Sequence, residues 1–190
     1  MKNKLVVLWL LSIYIPSVEA HSLSTVSVGF ISGLVHPFMG LDHILAMIAV
    51  GVWAAQLGGN AVWRLPLSFI GMMLVAAFLA ASGFILPAPE VLIAASVICL
   101  GLLLALAIRL PVNLSMLLVG LFAVFHGYAH GLEIPQAYSA LYYGCGFVVA
   151  TALLHVSGIV LGKASSQQPL LSRLSGMIIT MTGLYLVTSA

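Results

Sequence analysis

Charge is what this sequence has least of. Its 190 residues include six Lys and Arg and four Asp and Glu, or 5% of the chain, where an ordinary soluble domain carries about 25%. So few charges cannot cover a water-facing surface. The chain is 63% hydrophobic with a mean hydropathy of +1.23, which puts it among integral membrane proteins. The basic patches that grip a nucleic acid are missing. Cysteine is scarce too: Cys99 and Cys145 lie in apolar runs without a CxxC partner, read as small core residues, and report nothing about redox compartment. GIVLGK, residues 158–163, fails the GxxxxGK[ST] spacing, so no nucleotide-binding site is visible in this chain.

The apolar material falls into an ordered series. Lys2 and Lys4, a short apolar core over residues 5–15, Pro16, and the small-residue site at Val18, Glu19 and Ala20 have the layout of a cleaved secretory signal peptide, residues 1–20. The remaining residues 21–190 read as one domain, an all-α integral membrane bundle of six transmembrane helices near 22–57, 65–86, 90–109, 112–134, 137–162 and 170–189. The runs are too long and too uniformly apolar for barrel strands. Cleavage leaves the new N-terminus outside the cytoplasm. Counting spans from there puts Arg64, Arg109, Lys163 and Arg173 in inner loops and Glu90 in an outer one, as the positive-inside tendency expects. Both mature termini then lie on the outer, periplasmic side of a bacterial inner membrane.

The first run is too long for one straight crossing. At 1.5 Å per residue it would exceed about 50 Å, against a hydrocarbon core of about 30 Å. Pro37 and Gly40 supply a break at residues 36–40: proline removes a backbone donor and clashes with the turn before it. The expectation is a short outer or re-entrant segment to about Val35, then a crossing helix over 41–57.

That break is also where the ionisable groups gather. LVHPFMGLDHILAM, residues 34–47, holds His36, Asp42 and His43, and FHGYAHGLE, residues 125–133, holds His126, His130 and Glu133. Ionisable side chains are costly in lipid, so each marks a candidate functional site. His126 and His130 are i,i+4 and His130 and Glu133 are i,i+3, which puts all three on one helix face. Gly127 and Gly131 beside them would let a second helix come close. The span count puts both clusters at the outer end, where four imidazoles and two carboxylates can face each other. Such nitrogen and oxygen donors suit nickel, cobalt, zinc or copper better than magnesium or calcium. The two carboxylates offset the charge of a divalent ion, either as ligands or by orienting the imidazoles.

HPFMGLDHILAMIAVG, residues 36–51, resembles the HPxxGxDHxxxMxxVG signature of the HupE/UreJ family, and FHGYAHGLEIP, residues 125–135, is similar to that family's FHGxAHGxE motif. The signal peptide and six spans fit as well, so the resemblance covers nearly the whole chain. It implies a permease rather than an enzyme. The cargo would be Ni²⁺, or Co²⁺ in some members, supplied for hydrogenase or urease maturation. It implies metal handling by His36, Asp42, His43, His126, His130 and Glu133.

Three further residues are candidates for the metal path. His21 would become a free N-terminal histidine able to chelate at the outer mouth. Met47 is i,i+4 to His43 and offers a thioether, although methionines mostly fill core gaps. His155, on the fifth span nearer the inner side, could be a lower relay, but a hydrogen bond across helices is the more ordinary use of such a residue. A membrane haem or di-metal redox protein and a non-transporting assembly factor are the alternatives to a permease, and a homo-oligomer is left open.

Overall fold

A computed structural model describes residues 25–134 and 139–189. The segment read as a signal peptide and His21 lie outside the described residues. Among the described residues all regular structure is helical. It comprises α1 (Thr25–Val35), a 3₁₀ turn (His36–Phe38), α2 (Leu41–Leu57), α3 (Ala61–Ala81), α4 (Pro89–Ala105), α5 (Val112–Leu132), α6 (Ala140–Ala164) and α7 (Pro169–Ser189). Helices α3, α5, α6 and α7 are each long and apolar enough to cross a membrane. The pair Val28–Phe38 and Leu41–Leu57 makes a fifth candidate if its two arms, bent by 78°, count as one span. Helix α4 is apolar but, at 17 residues, only about 26 Å long.

The bend falls where the sequence puts it. Pro37 has no N–H to continue α1, so the chain tightens into a 3₁₀ turn that ends with Met39 N–H donating to the His36 carbonyl at 3.0 Å. Gly40 is extended, at φ −109° and ψ 125°, and its carbonyl accepts the first bond of α2 from Ile44 at 3.1 Å.

Two spans differ from their expected limits. Helix α3 starts at Ala61 rather than 65, so Pro66 lies inside it and the Val62 carbonyl gives up its helical donor. It stops at Ala81, five residues early, because Gly83 adopts φ +88°. Phe84 N–H and Gly83 N–H then turn back onto the carbonyls of Leu79 and Ala80 at 3.1 and 3.0 Å. Helix α4 ends at Ala105 by the same device, with Ile108 N–H on the Leu103 carbonyl at 2.9 Å and Ala107 N–H on that of Leu104 at 3.1 Å. Here an alanine, Ala107 at φ +50°, takes the left-handed position that glycine normally fills.

Helices pair across the sequence rather than along it: α3 packs mainly on α5, α4 on α7, and both α1 and α2 on α6. Large apolar side chains such as Phe78, Leu117 and Ile178 point outward. Lipid offers no hydrophobic drive to bring helices together, so tight pairing depends on small residues at the crossings. A Cβ on Gly127 of α5 would fall on the Met73 carbonyl of α3, and Gly51 of α2 meets Gly158 of α6 backbone to backbone. The first of these contacts fixes the height of α5, and therefore of the histidines on either side of Gly127.

Candidate metal site

Three elements build one cluster at the end of the bundle where the chain breaks. The 3₁₀ turn supplies His36, the first turn of α2 supplies Asp42 and His43, and the last two turns of α5 supply His126 and His130, with Glu133 just past the end of that helix. Glu133 Oε2 lies 2.9 Å from His130 Nδ1 and 3.0 Å from His36 Nε2. His130 Nε2 lies 2.9 Å from His43 Nδ1. The His43 ring in turn meets that of His126, with centroids 5.5 Å apart. Exposure falls steadily along this row, from 54% for the Glu133 side chain and 29% for His36 to 0% for His43 and His126.

One arrangement of protons fits most of these contacts, with His36 Nε2 and His130 Nδ1, themselves 3.0 Å apart, both turned to Glu133. Ser96 of α4 donates its hydroxyl to the Ile93 carbonyl at 2.7 Å, so its oxygen accepts from His126 Nε2 at 3.0 Å. His126 therefore carries its proton on Nε2 and keeps the Nδ1 lone pair. Glu133 accepts from His130 Nδ1 and His36 Nε2. That leaves His130 Nε2 to accept from His43 Nδ1, and the His43 Nε2 lone pair stays free. His126 Nδ1 and His43 Nε2 are both buried without a hydrogen-bond partner among the described residues. Buried polar atoms are seldom left so. Outside the span proper, the His130 and His36 hydrogen bonds hold the Glu133 carboxyl well below the usual carboxylate range.

Two donor sets suit a metal ion: His36, His130 and Glu133 at the rim, and His43, His126 and His130 in the interior. Within each set the candidate ligand atoms lie within 4.8 Å of one another. His130 belongs to both. His130 Nδ1 faces the rim set and its Nε2 faces the interior set, so the same imidazole borders both donor sets on opposite sides.

Asp42 belongs to neither set. Its Oδ1 accepts the His43 backbone N–H at 2.8 Å, one of the N–H groups that the first turn of α2 leaves free, and its charge suits that end of the helix. A side chain on Gly40 would collide with that carboxylate. Asp42 also lines a cavity of about 240 Å³ with Glu90, His130 and Glu133. Met47 is fully buried in the apolar core one turn beyond His43. His155 is buried deeper, its ring centroid 5.4 Å from that of Phe69, whose other contact is His126 at 5.6 Å.

Sequence reading missed several neighbours. Glu90, taken only as a loop acid, joins the cavity above His130. Its rarity was the available signal, since only three acids follow residue 20. Phe147 of α6 packs on His36, His43 and His130, with centroids 5.9, 5.1 and 4.9 Å away, and Tyr143 stands 5.8 Å from His36. Ser96 was missed as well, and one serine in an apolar run gives no signal.

No solved structure matches the chain. The family model described as "HupE / UreJ protein" matches residues 8–186. Protein HupE of Rhizobium leguminosarum bv. viciae is 40% identical over 188 residues, covering 96% of this chain and 97% of that protein. With both of its histidine-rich motifs drawn into one cluster and a match running almost from end to end, the chain belongs to the HupE/UreJ family.

Proposed function

We propose that this chain is a six-span permease importing a divalent transition-metal ion, Ni²⁺ or alternatively Co²⁺, across the bacterial inner membrane for hydrogenase or urease maturation. The family is one of hydrogenase and urease accessory nickel and cobalt permeases, not of enzymes. In this reading residues 1–20 are a cleaved signal peptide and residues 21–190 form a single transmembrane domain. The bent α1–α2 pair and α4 count as spans beside the four long helices. The cluster end faces the periplasm, as do both mature termini, and His21 stands at the mouth.

The observation that carries the reading is the sharing of His130 between a rim set and a buried set. The cavity between Asp42, Glu90 and Glu133 concentrates cations. The ion sheds water to His36, His130 Nδ1 and Glu133, displacing the protons these rings share with the carboxylate, then passes around the same imidazole to His43, His126 and His130 Nε2. Imidazoles take the place of the shed water, so the dication enters the low-dielectric interior coordinated rather than bare. Met47 lines the buried end of this route. An inside-negative potential supplies about 2.3 kcal/mol per charge per 100 mV, so about 4.6 kcal/mol for a dication, or a gradient of roughly two-thousand-fold.

The test is radiolabelled nickel uptake in a nickel-starved host. Wild type should accumulate nickel above the host background. His36→Ala, Asp42→Ala and Glu133→Ala should lower accumulation, and His130→Ala should abolish it. Equal uptake in all strains at equal membrane abundance would sink the proposal.

A further inference from the structure

Beyond the shared histidine cluster and the Tyr143 hydroxyl beside it, one pair of buried side chains lacks hydrogen-bond partners among the described residues. His155 is 1% exposed and neither of its ring nitrogens has a hydrogen-bond partner among the described residues. Thr151, fully buried, has a hydroxyl in the same condition. The two are i,i+4 on α6 and therefore share a face. An orphaned buried donor or acceptor costs about 1–3 kcal/mol, and three such atoms lie on these two side chains. A histidine kept only to tie helices together would reach a carbonyl or a hydroxyl, as His126 reaches Ser96. His155 reaches neither.

Its position suggests what it serves. Phe147, which packs on three of the cluster histidines, lies eight residues earlier on α6, so His155 is about 12 Å further from the cluster end along that helix. The Phe69 ring bridges the interval, with one contact to His126 and one to His155. Just beyond, Gly51 and Gly158 bring α2 and α6 backbone to backbone, and a Cβ on Gly51 would strike the His155 carbonyl. His155 and Thr151 thus sit past the last cluster histidine, at the α2–α6 crossing.

We propose that His155 and Thr151 form an inner station for the same divalent ion. The His155 imidazole would be one ligand, the Thr151 hydroxyl a second or a hydrogen-bond partner to a bound water, and water would complete the shell. An imidazole nitrogen beside a neutral oxygen suits Ni²⁺ or Co²⁺ and discriminates against Mg²⁺ and Ca²⁺. The station rests on the permease reading and deepens it: the ion leaves the His43–His126–His130 set, passes Phe69 and waits on His155 before the α2–α6 contact opens.

The test uses the full chain and nickel(II) alone, with uptake by nickel-starved cells and nickel binding by the detergent-purified protein measured side by side. His155→Leu should cut uptake by about tenfold or more, while the purified variant still binds nickel at the outer cluster with wild-type affinity. His155→Cys, which keeps a metal ligand, should recover part of the uptake. Thr151→Val, which keeps the shape, should show a smaller loss. The station is overturned if His155→Leu takes up nickel like wild type, or if Leu and Cys are equally defective at normal abundance, since packing alone would then explain the residue. If His155→Leu fails to accumulate in the membrane, Thr151→Val decides, and unchanged uptake there overturns the station. Failure of the permease reading looks different, because wild type itself would then accumulate no more nickel than the host lacking the protein.

Discussion

Ser96 Oγ lies 3.0 Å from His126 Nε2 and 2.7 Å from the Ile93 carbonyl. With its hydroxyl proton on the Ile93 carbonyl, the oxygen accepts from His126 Nε2, and the unpartnered Nδ1 is left for the buried donor set. Partners of this kind usually change metal affinity by about 10–100-fold when removed. Ser96→Ala should therefore weaken nickel binding by about tenfold with little change in membrane abundance, and Ser96→Thr should retain most of the affinity. Equilibrium binding of nickel to the purified proteins checks this, and wild-type affinity in Ser96→Ala would remove the serine from the account.

His130 should behave differently from its neighbours because it serves both donor sets. His36→Ala and Glu133→Ala each cripple only the rim set, so the double variant should be no worse than about twice either single one. Residues acting as one unit are non-additive in this way. His130→Ala should match the loss seen when both sets are broken, as in the His36→Ala, His43→Ala double variant. Initial rates of nickel uptake across the five strains measure the coupling. Fully multiplicative losses for His36→Ala and Glu133→Ala would argue that they act at separate points.

What the sequence made readable, and what it did not, follows from how local each signal is. Pro37 and Gly40 act on their own backbone, so the break between α1 and α2 could be read without knowing any tertiary contact. Histidines and acids in an apolar run stand out because lipid penalises them. The i,i+4 and i,i+3 spacing of His126, His130 and Glu133 needs only helix geometry. Glu90 was missed for the opposite reason: its place above His130 depends on how α4 packs against the rest of the bundle, and nothing within ten residues of it carries that information. Phe147 and Tyr143 look like any other aromatic residues in a membrane span. The early end of α4 was hidden because its left-handed residue is Ala107, where sequence reading looks for glycine.

Gly127 links packing to the site. Its Cα lies against the Met73 backbone, and a methyl group there would have to displace the Met73 carbonyl rather than a flexible side-chain tip. Gly127→Ala should push α5 away from α3 and carry His126 and His130 with it. Overpacking of this kind costs about 1–3 kcal/mol. The expected result is a lower unfolding temperature in detergent together with a loss of nickel uptake larger than the fall in abundance explains. Gly71, around which a Cβ would meet nothing within 4 Å, is the control: Gly71→Ala should leave uptake at the wild-type value and should not lower the unfolding temperature, since alanine is the better helix former by about 0.5–1 kcal/mol.

Ala107 offers the converse test, a gain of stability away from the site. The left-handed conformation costs a non-glycine residue about 1–2 kcal/mol, and Ala107 holds it because the two backbone bonds closing α4, from Ile108 to Leu103 and from Ala107 to Leu104, require it. Gly83 closes α3 in the same geometry without that strain. Ala107→Gly relieves the folded state but also loosens the unfolded chain, which offsets about 0.4–1 kcal/mol of the gain. The net should be a stabilisation of up to about 1 kcal/mol, read as a rise in unfolding temperature of the purified protein. Nickel uptake should not change, because Ala107 lies just past the end of α4 away from Glu90, and Ser96 is about three turns back along the helix. A fall in stability would mean that the alanine methyl makes a packing contact worth more than the strain it causes.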